Sequence, residues 1–312
     1  QMCIRDSLCP FHYFGVADNT DLRNVTWSRG DYNQNDLENV YTGNDARTRL
    51  VLNAVRDYVT DPRSMRALGF CVSITHAIYM AREFSRQGIP SAAISANTPS
   101  AERAQAFADL RRGSISCLFA VDIFNEGIDI PDVDTLLMLR PTQSATVFLQ
   151  QLGRGLRRSA GKAVLTVLDF IGHQRAEFNF APRFTALTGV RGQHLVDEIG
   201  DGFPFLPGAS RLVLDRQSQD IVLDSVKYAL PKNRRSALVA SVREVNSAIL
   251  GDYLHATGGD LADIYSGSGT RAWTPLLRDA HLATPDPGPG EDALLKRCLL
   301  YTSDAADEGL GV

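Results

Sequence analysis

The stretch QQLGRGLRR, Gln150 to Arg158, concentrates residue types that act on phosphate. At 100° per residue, a helix through it puts Gln150, Arg154 and Arg157 within a sector of about 60° and Phe148, Leu149, Leu152 and Leu156 on the other side. The spacing predicts one face packed on a core and one presenting an amide and two guanidiniums. A guanidinium is planar and permanently charged, so two on one face suit phosphate oxygens. Gly153 beside Arg154 omits a side chain and admits close approach, at a cost of about 1 kcal/mol in helix stability. A solvated basic helix end would account for the charges, but it requires neither Gly153 nor Gln150.

A second stretch, VDIFNEGIDIPDVD from Val121 to Asp134, follows the apolar run Ser116 to Val121. Ligands collect at the carboxyl ends of strands in open α/β sheets. Gly127 permits close backbone approach there, Asp129 can accept from a ribose hydroxyl, and Pro131 stops the loop. A third, GFCVSITHA from Gly69 to Ala77, is a strand-length run leading straight into a helix capped by Thr75.

The elements that would position these residues alternate. A helix capped by Asp45 has the apolar face Leu50, Val51, Ala54, Val55 and Tyr58. Strands are expected at Leu68 to Ile74, Ser91 to Ser95, Ser116 to Val121, Thr135 to Leu139 and Ala163 to Leu168. Helices are expected from Thr75 to Gly88, from Ala101 to Arg112 with Ser100 as cap, and from Ser144 to about Arg158. Near-continuous apolar strands between amphipathic helices imply a doubly wound α/β domain with a parallel sheet covered on both faces. Beyond Gly172 the pattern turns helical: Leu238, Val242, Val245 and Ile249 share one face, and Leu261, Ile264 and Tyr265 suggest another helix. Gly200 to Gly208 and Pro285 to Gly290 read as a loop or boundary and a linker.

Composition sets the outer bounds. The 312 residues, 44% hydrophobic and 22% charged, suffice for more than one core. No apolar run approaches the ~18 residues of a membrane span, and no export signal opens the chain, so a cytoplasmic protein is expected. Cys3, Cys9, Cys71, Cys117 and Cys298 lack metal-site or disulfide spacing and read as small hydrophobes. The formal charge of −4 conceals a basic segment, Arg140 to Arg175, where six basic residues stand against Asp169 alone.

In this order and spacing, the three stretches resemble the C-terminal motor domain of superfamily 2 (DEAD/DEAH-box-like) helicases. Gln150, Gly153, Arg154 and Arg157 match the sixth motif, Q-x-x-G-R-x-x-R; Glu126, Gly127 and Asp129 match the fifth; Gly69 to Ala77 is similar to the fourth. The whole chain looks like a bacterial helicase subgroup with a helical C-terminal region. The resemblance implies a RecA-like fold that closes over ATP and Mg2+ held mainly by a first motor domain. Arg154 and Arg157 would be arginine fingers, and Gln150 would sit near the γ-phosphate or attacking water. Glu126, Gly127, Asp129 and Gly153 would line the nucleotide, while Ser73, Thr75, His76 and Asp122 would meet nucleic acid, DNA rather than RNA. One departure is Val121, where the fifth motif usually has a hydroxyl.

The sequence contains no G-x-x-x-x-G-K-[ST] phosphate loop. It begins with Gln, and both the opening QMCIRDS and the closing CLLYTSDAADE resemble translated sequencing adapter. The expected organisation is therefore 1–44, an adapter-like start and a remnant of the first motor domain; 45–175, the RecA-like domain; 176–284, a mainly helical region; and 285–312, a linker and non-natural tail. The expected function is half of an ATP-dependent motor, inactive alone; the alternative is a non-enzymatic nucleic-acid-binding or adaptor module on the same fold.

Overall fold

The computed structural model describes residues 8–28, 30–121, 132–204, 206, 209–230, 234–257, 264–265, 272–282 and 284. The chain divides into two compact units, 1–229 and 230–312.

The first unit is built on a seven-stranded sheet of order β5-β6-β4-β7-β8-β1-β9 among the described residues, every pair parallel. Its strands are β1 (Phe11–Asp21), β4 (Ala67–Phe70), β5 (Ser91–Ile94), β6 (Cys117–Ala120), β7 (Thr135–Met138), β8 (Leu165–His173) and β9 (Arg211–Leu214). A two-stranded ribbon, β2 (Trp27–Ser28) and β3 (Asp31–Tyr32), follows β1. The helices are α1 (Gln34–Tyr41), α2 (Asp45–Tyr58), α3 (Ile74–Arg86), α4 (Ser100–Arg112), α5 (Ala145–Gly153), α6 (Ala181–Thr188), α7 (Gly192–Gly200) and α8 (Arg216–Ala229). Strands β4, β6 and β7 are buried at every residue, as a sheet covered on both faces requires. This is the doubly wound α/β architecture with a parallel sheet expected from the alternation.

Packing at the centre is tight enough to select residues. A Cβ on Gly69 of β4 would stand 2.4 Å from the ring of Phe119, which is itself wedged edge-on against Phe84 of α3. Cys9, Cys71 and Cys117 are buried free thiols, in keeping with their reading as small hydrophobes. Helix starts shift by one or two positions. Asn44 rather than Asp45 caps α2, accepting from the Arg47 N–H, and Ser73 rather than Thr75 caps α3, accepting from the His76 N–H. Ser100 is the first residue of α4, preceded by Pro99 with no side-chain cap.

Two strands lie outside the 45–175 span expected for the sheet. Residues 11–21, read from sequence as part of the remnant of a first motor domain and its linker, form β1, which pairs with β8 on one side and β9 on the other. Buried polar residues hide this strand from a hydrophobicity pattern. Asp18 is buried in it and receives Arg47 Nε of α2 at 2.7 Å. That guanidinium also donates to the Leu139 carbonyl at 3.1 Å and lies 4.0 Å over the Tyr41 ring.

The second unit contains α9 (Arg234–Val245), α10 (Leu250–Thr257) and α11 (Trp273–Asp279) around Val242, Tyr253, Ile264, Trp273, Leu276 and Leu277. The helical face expected to reach Ile249 stops short. Asn246 takes a left-handed φ of 52° and ends α9, leaving Ile249 exposed. Trp273 packs there and donates to the Ala248 carbonyl at 2.9 Å. Leu261, the linker at 285–290 and both adapter-like termini lie outside the described residues.

Removing one partner of a buried ion pair strands the other charge in a low dielectric. Arg47→Ala is expected to lower unfolding free energy by about 3–5 kcal/mol. Denaturant titration checks this; a loss below about 1 kcal/mol would show that Asp18 is solvated without its partner.

Candidate functional site

The sixth-motif segment forms a short helix and an anchored loop. Helix α5 begins at the carboxyl end of β7, capped by Ser144, and runs back to the amino end of β8. It ends at Gly153, five residues short of the expected Arg158. Arg154 adopts φ −63° and ψ −32°, and its N–H turns to the Gln151 carbonyl at 3.2 Å. The next residues are claimed by another strand. The Cys9 N–H donates to the Leu156 carbonyl at 2.7 Å, Arg157 bridges to Leu8, and Arg158 Nε donates to the Leu8 carbonyl at 3.1 Å. Lys162, its charge disfavoured by burial, donates to the carbonyls of Gly155 and Arg157.

The single-face prediction is therefore corrected. Phe148 and Leu152 are buried as expected, but the third buried residue is Gln151, and Leu149, placed on the apolar side, is 44% exposed. Gln150 is exposed, Arg154 half-buried and Arg157 exposed. Gln150 lies within α5, whereas the loop that carries Arg157 is fixed by backbone bonds to Leu8 and Cys9 before β1. Gly153 and Gly155 divide the labour: a Cβ on Gly153 would meet nothing within 4 Å, whereas one on Gly155 would stand 2.3 Å from Leu165 at the start of β8. The first leaves open space beside Arg154, and the second lets the loop pack on the sheet. Beyond this loop, a cavity of about 560 Å³ includes Ser159, Lys162, Arg66, Arg111, Asp132 and Asp134 in its walls. Its charges are mixed, and burial raises the Asp134 carboxyl pKa.

The fourth-motif residues sit at the other end of the sheet, beyond the carboxyl end of β4. Ser73 spends its oxygen on the cap, and Thr75 is exposed in the first turn of α3. His76 does not reach a ligand: it is fully buried, stacked on Tyr41 at 5.6 Å, and its Nδ1 accepts from the Val72 N–H at 3.4 Å. Burial, with the Arg47 charge, holds the imidazole neutral and its pKa well below the usual value. The apolar spacing of the helix carried that signal, because His76 lies beside Ala77 and one turn before Met80. Asp122, Glu126, Gly127 and Asp129 lie outside the described residues; Val121 packs against the core.

Residues 50–159 match the model of the helicase conserved C-terminal domain. The match covers about a third of the chain, and over that segment the chain is similar to the C-terminal domains of helicases. It is 29% identical over 161 residues to a 51.5 kDa protein of a Lactococcus phage, covering 51% of this chain and 34% of that one. It is 26% identical over 188 residues to a Saccharomyces cerevisiae protein provisionally named as the ATP-dependent helicase IRC3, covering 60% of this chain and 27% of that one. The chain thus spans about a third and about a quarter of these two relatives. Among solved structures, the ATP-dependent Type ISP restriction-modification enzyme LlaBIII bound to DNA aligns over 98% of this chain and 25% of its own, at 12% identity and a TM-score of 0.48.

Two outcomes follow from this geometry. Gly155→Ala is expected to cost about 1–3 kcal/mol, because Leu165 is fully buried and cannot yield, whereas Gly153→Ala is neutral or stabilising by up to about 1 kcal/mol; paired denaturant curves distinguish them. A histidine whose folded pKa is depressed binds its proton only on unfolding, so stability is full above about pH 6.5 and falls below it. The wild type should lose up to about 1.4 kcal/mol per pH unit from this group between pH 6.5 and 5, and His76→Gln should lack that slope in urea titrations across the range.

Proposed function

We propose that this chain is the C-terminal half of an ATP-dependent nucleic-acid helicase or translocase, supplying arginine fingers to a nucleotide held by a first RecA-like domain of the same polypeptide. The observation that carries the reading is the anchored loop after α5. Arg154 and Arg157 leave a short helix beside an open glycine, on a backbone tied to Leu8, Cys9 and Lys162. Arginine fingers need that rigidity, because their value lies in meeting charge on the γ-phosphoryl group without reorganising.

In this reading Gln150, exposed one turn earlier, faces the γ-phosphate or attacking water, and Gly153 leaves room for the nucleotide. Glu126, Gly127 and Asp129 complete the nucleotide side. Ser73, Thr75 and Asp122 lie along the nucleic-acid side, with the exposed Thr75 and the first turn of α3 meeting phosphates. Among the described residues, the Arg154–Arg157 loop and the Ser73–Thr75 turn lie at opposite ends of one sheet, which suits a motor in which nucleotide closure moves the domain along a strand. Among the described residues, no group of three or more His, Cys, Asp or Glu can hold a metal ion, and Mg2+ is assigned to the first domain. The relatives' names include both an RNA helicase and the UvrABC system protein B, so single-stranded DNA and RNA are tested side by side.

The chain alone is expected to bind single-stranded nucleic acid weakly and to show no ATP turnover, for want of a phosphate-cradling loop. In a longer polypeptide that supplies that loop, Arg154→Ala with Arg157→Ala should reduce nucleic-acid-stimulated turnover by at least about 1000-fold while largely keeping strand affinity. Steady-state ATPase assays with fluorescence-anisotropy binding check both. Robust turnover by the chain alone, or full turnover in the double variant, would sink the proposal in favour of another nucleotide enzyme or an adaptor module.

A further inference from the structure

On the sheet face that carries α5, one buried polar cluster lies outside the segment matched by the helicase model. Arg183 of α6 is buried, and one terminal nitrogen donates to the carboxylate of Asp169 on β8 and to the Tyr13 hydroxyl at 3.0 Å. The Tyr13 hydroxyl in turn donates to the same carboxylate. The other terminal nitrogen of Arg183 donates to the Thr142 carbonyl at 3.1 Å, two residues before the Ser144 cap of α5. Its guanidinium also lies 4.8 Å over the ring of Phe148, the buried aromatic of α5.

One planar group thus holds the lead-in of α5 and its anchoring side chain while fixed to β8 and β1. A nine-residue helix has little stability of its own, so its direction follows what it packs on. Phe148 lies two residues from Gln150 and six from Arg154. A buried ion pair contributes little net stability compared with apolar residues of the same volume; what it supplies is a single donor geometry. We infer that Arg183, oriented by Asp169 and Tyr13, is a positioning residue that sets the direction of α5 and thereby the placement of Gln150 and Arg154. The inference rests on the reading of Arg154 and Arg157 as fingers, and Arg183 itself touches no reacting atom.

The test uses the ATP-hydrolysing polypeptide containing this chain. Asp169→Leu combined with Arg183→Met removes both charges, keeps the volume and is expected to fold with a melting midpoint near the parental one. Its kcat should fall about 10- to 100-fold, since misplacement by about 1 Å costs that much, while KM for ATP and strand affinity stay within about 2-fold. Arg183→Lys, which keeps the charge but loses the fork, and Tyr13→Phe should give intermediate kcat values. Unchanged kcat in the folded double variant overturns the inference; if that variant does not fold, parental kcat in both single variants does so instead. The Arg154→Ala plus Arg157→Ala variant separates the two levels. Its loss of turnover beside an unimpaired Asp169→Leu plus Arg183→Met variant rejects only the positioning role, and its retention of turnover rejects the finger reading together with the inference built on it.

Discussion

The parallel pairing of β1 with β8 is the interaction on which the rest of the first unit depends. It joins Phe11–Ala17 to Leu165–Ile171, segments about 150 residues apart in the chain. Backbone groups this deep need partners, and the pairing satisfies them along the middle of the sheet. Its consequences reach both edges. At the amino end, the lead-in to β1 captures the loop of Arg154 and Arg157 through Leu8 and Cys9. At the carboxyl end, Gly172 approaches Thr20 so closely that a Cβ would stand 2.8 Å from its carbonyl. Between them, Tyr13 and Asp169 come into hydrogen-bonding distance on the α5 face.

Each face of the sheet also buries one arginine and one aspartate. Arg47 and Asp18 tie α2 to β1 on one side, and Arg183 and Asp169 tie α6 to β8 on the other. Desolvation of two charges offsets most of their attraction, so such pairs contribute little net stability. They do discriminate among arrangements, because a helix rotated or slid from its place leaves an uncompensated charge in the interior. Both guanidiniums spend a further donor on a backbone carbonyl and lie over an aromatic ring. These connections turn layers that apolar contact would hold loosely into a fixed frame for α5.

The frame extends past the segment matched by the helicase C-terminal domain. Residues 50–159 contain the sixth motif but neither β1 nor β8 nor α6; the lead-in to β1 and the start of β8 hold the motif's loop, and α6 holds the helix before it. In the proposed motor, the finger loop is rigid because it is held by segments that precede and follow the matched segment in sequence. The nucleic-acid side is built locally, from the turn between β4 and α3, where cap and first turn follow each other in sequence.

Much of this was legible in the amino-acid sequence. Apolar runs of strand length between amphipathic helices located β4 to β8 and the intervening helices to within a few residues, because the central strands β4, β6 and β7 are buried on both faces. Gln150, Gly153, Arg154 and Arg157 carry, in residue type and spacing, the reading of a phosphate-directed site proposed above. What only tertiary structure decided has one common cause: a buried polar side chain looks like a surface residue until its partner is known. Asp18 and Thr20 concealed β1, nothing in the pattern marked Arg183, and His76 resembled a ligand contact although it is buried against Tyr41. The end of α5 was hidden likewise, since helical phase carries past Gly153 and only the competing bonds of Leu8 and Cys9 turn the chain away. Local pattern thus determined most of the elements and the chemistry proposed for the arginines; non-local hydrogen bonds and ion pairs decided where those arginines are held.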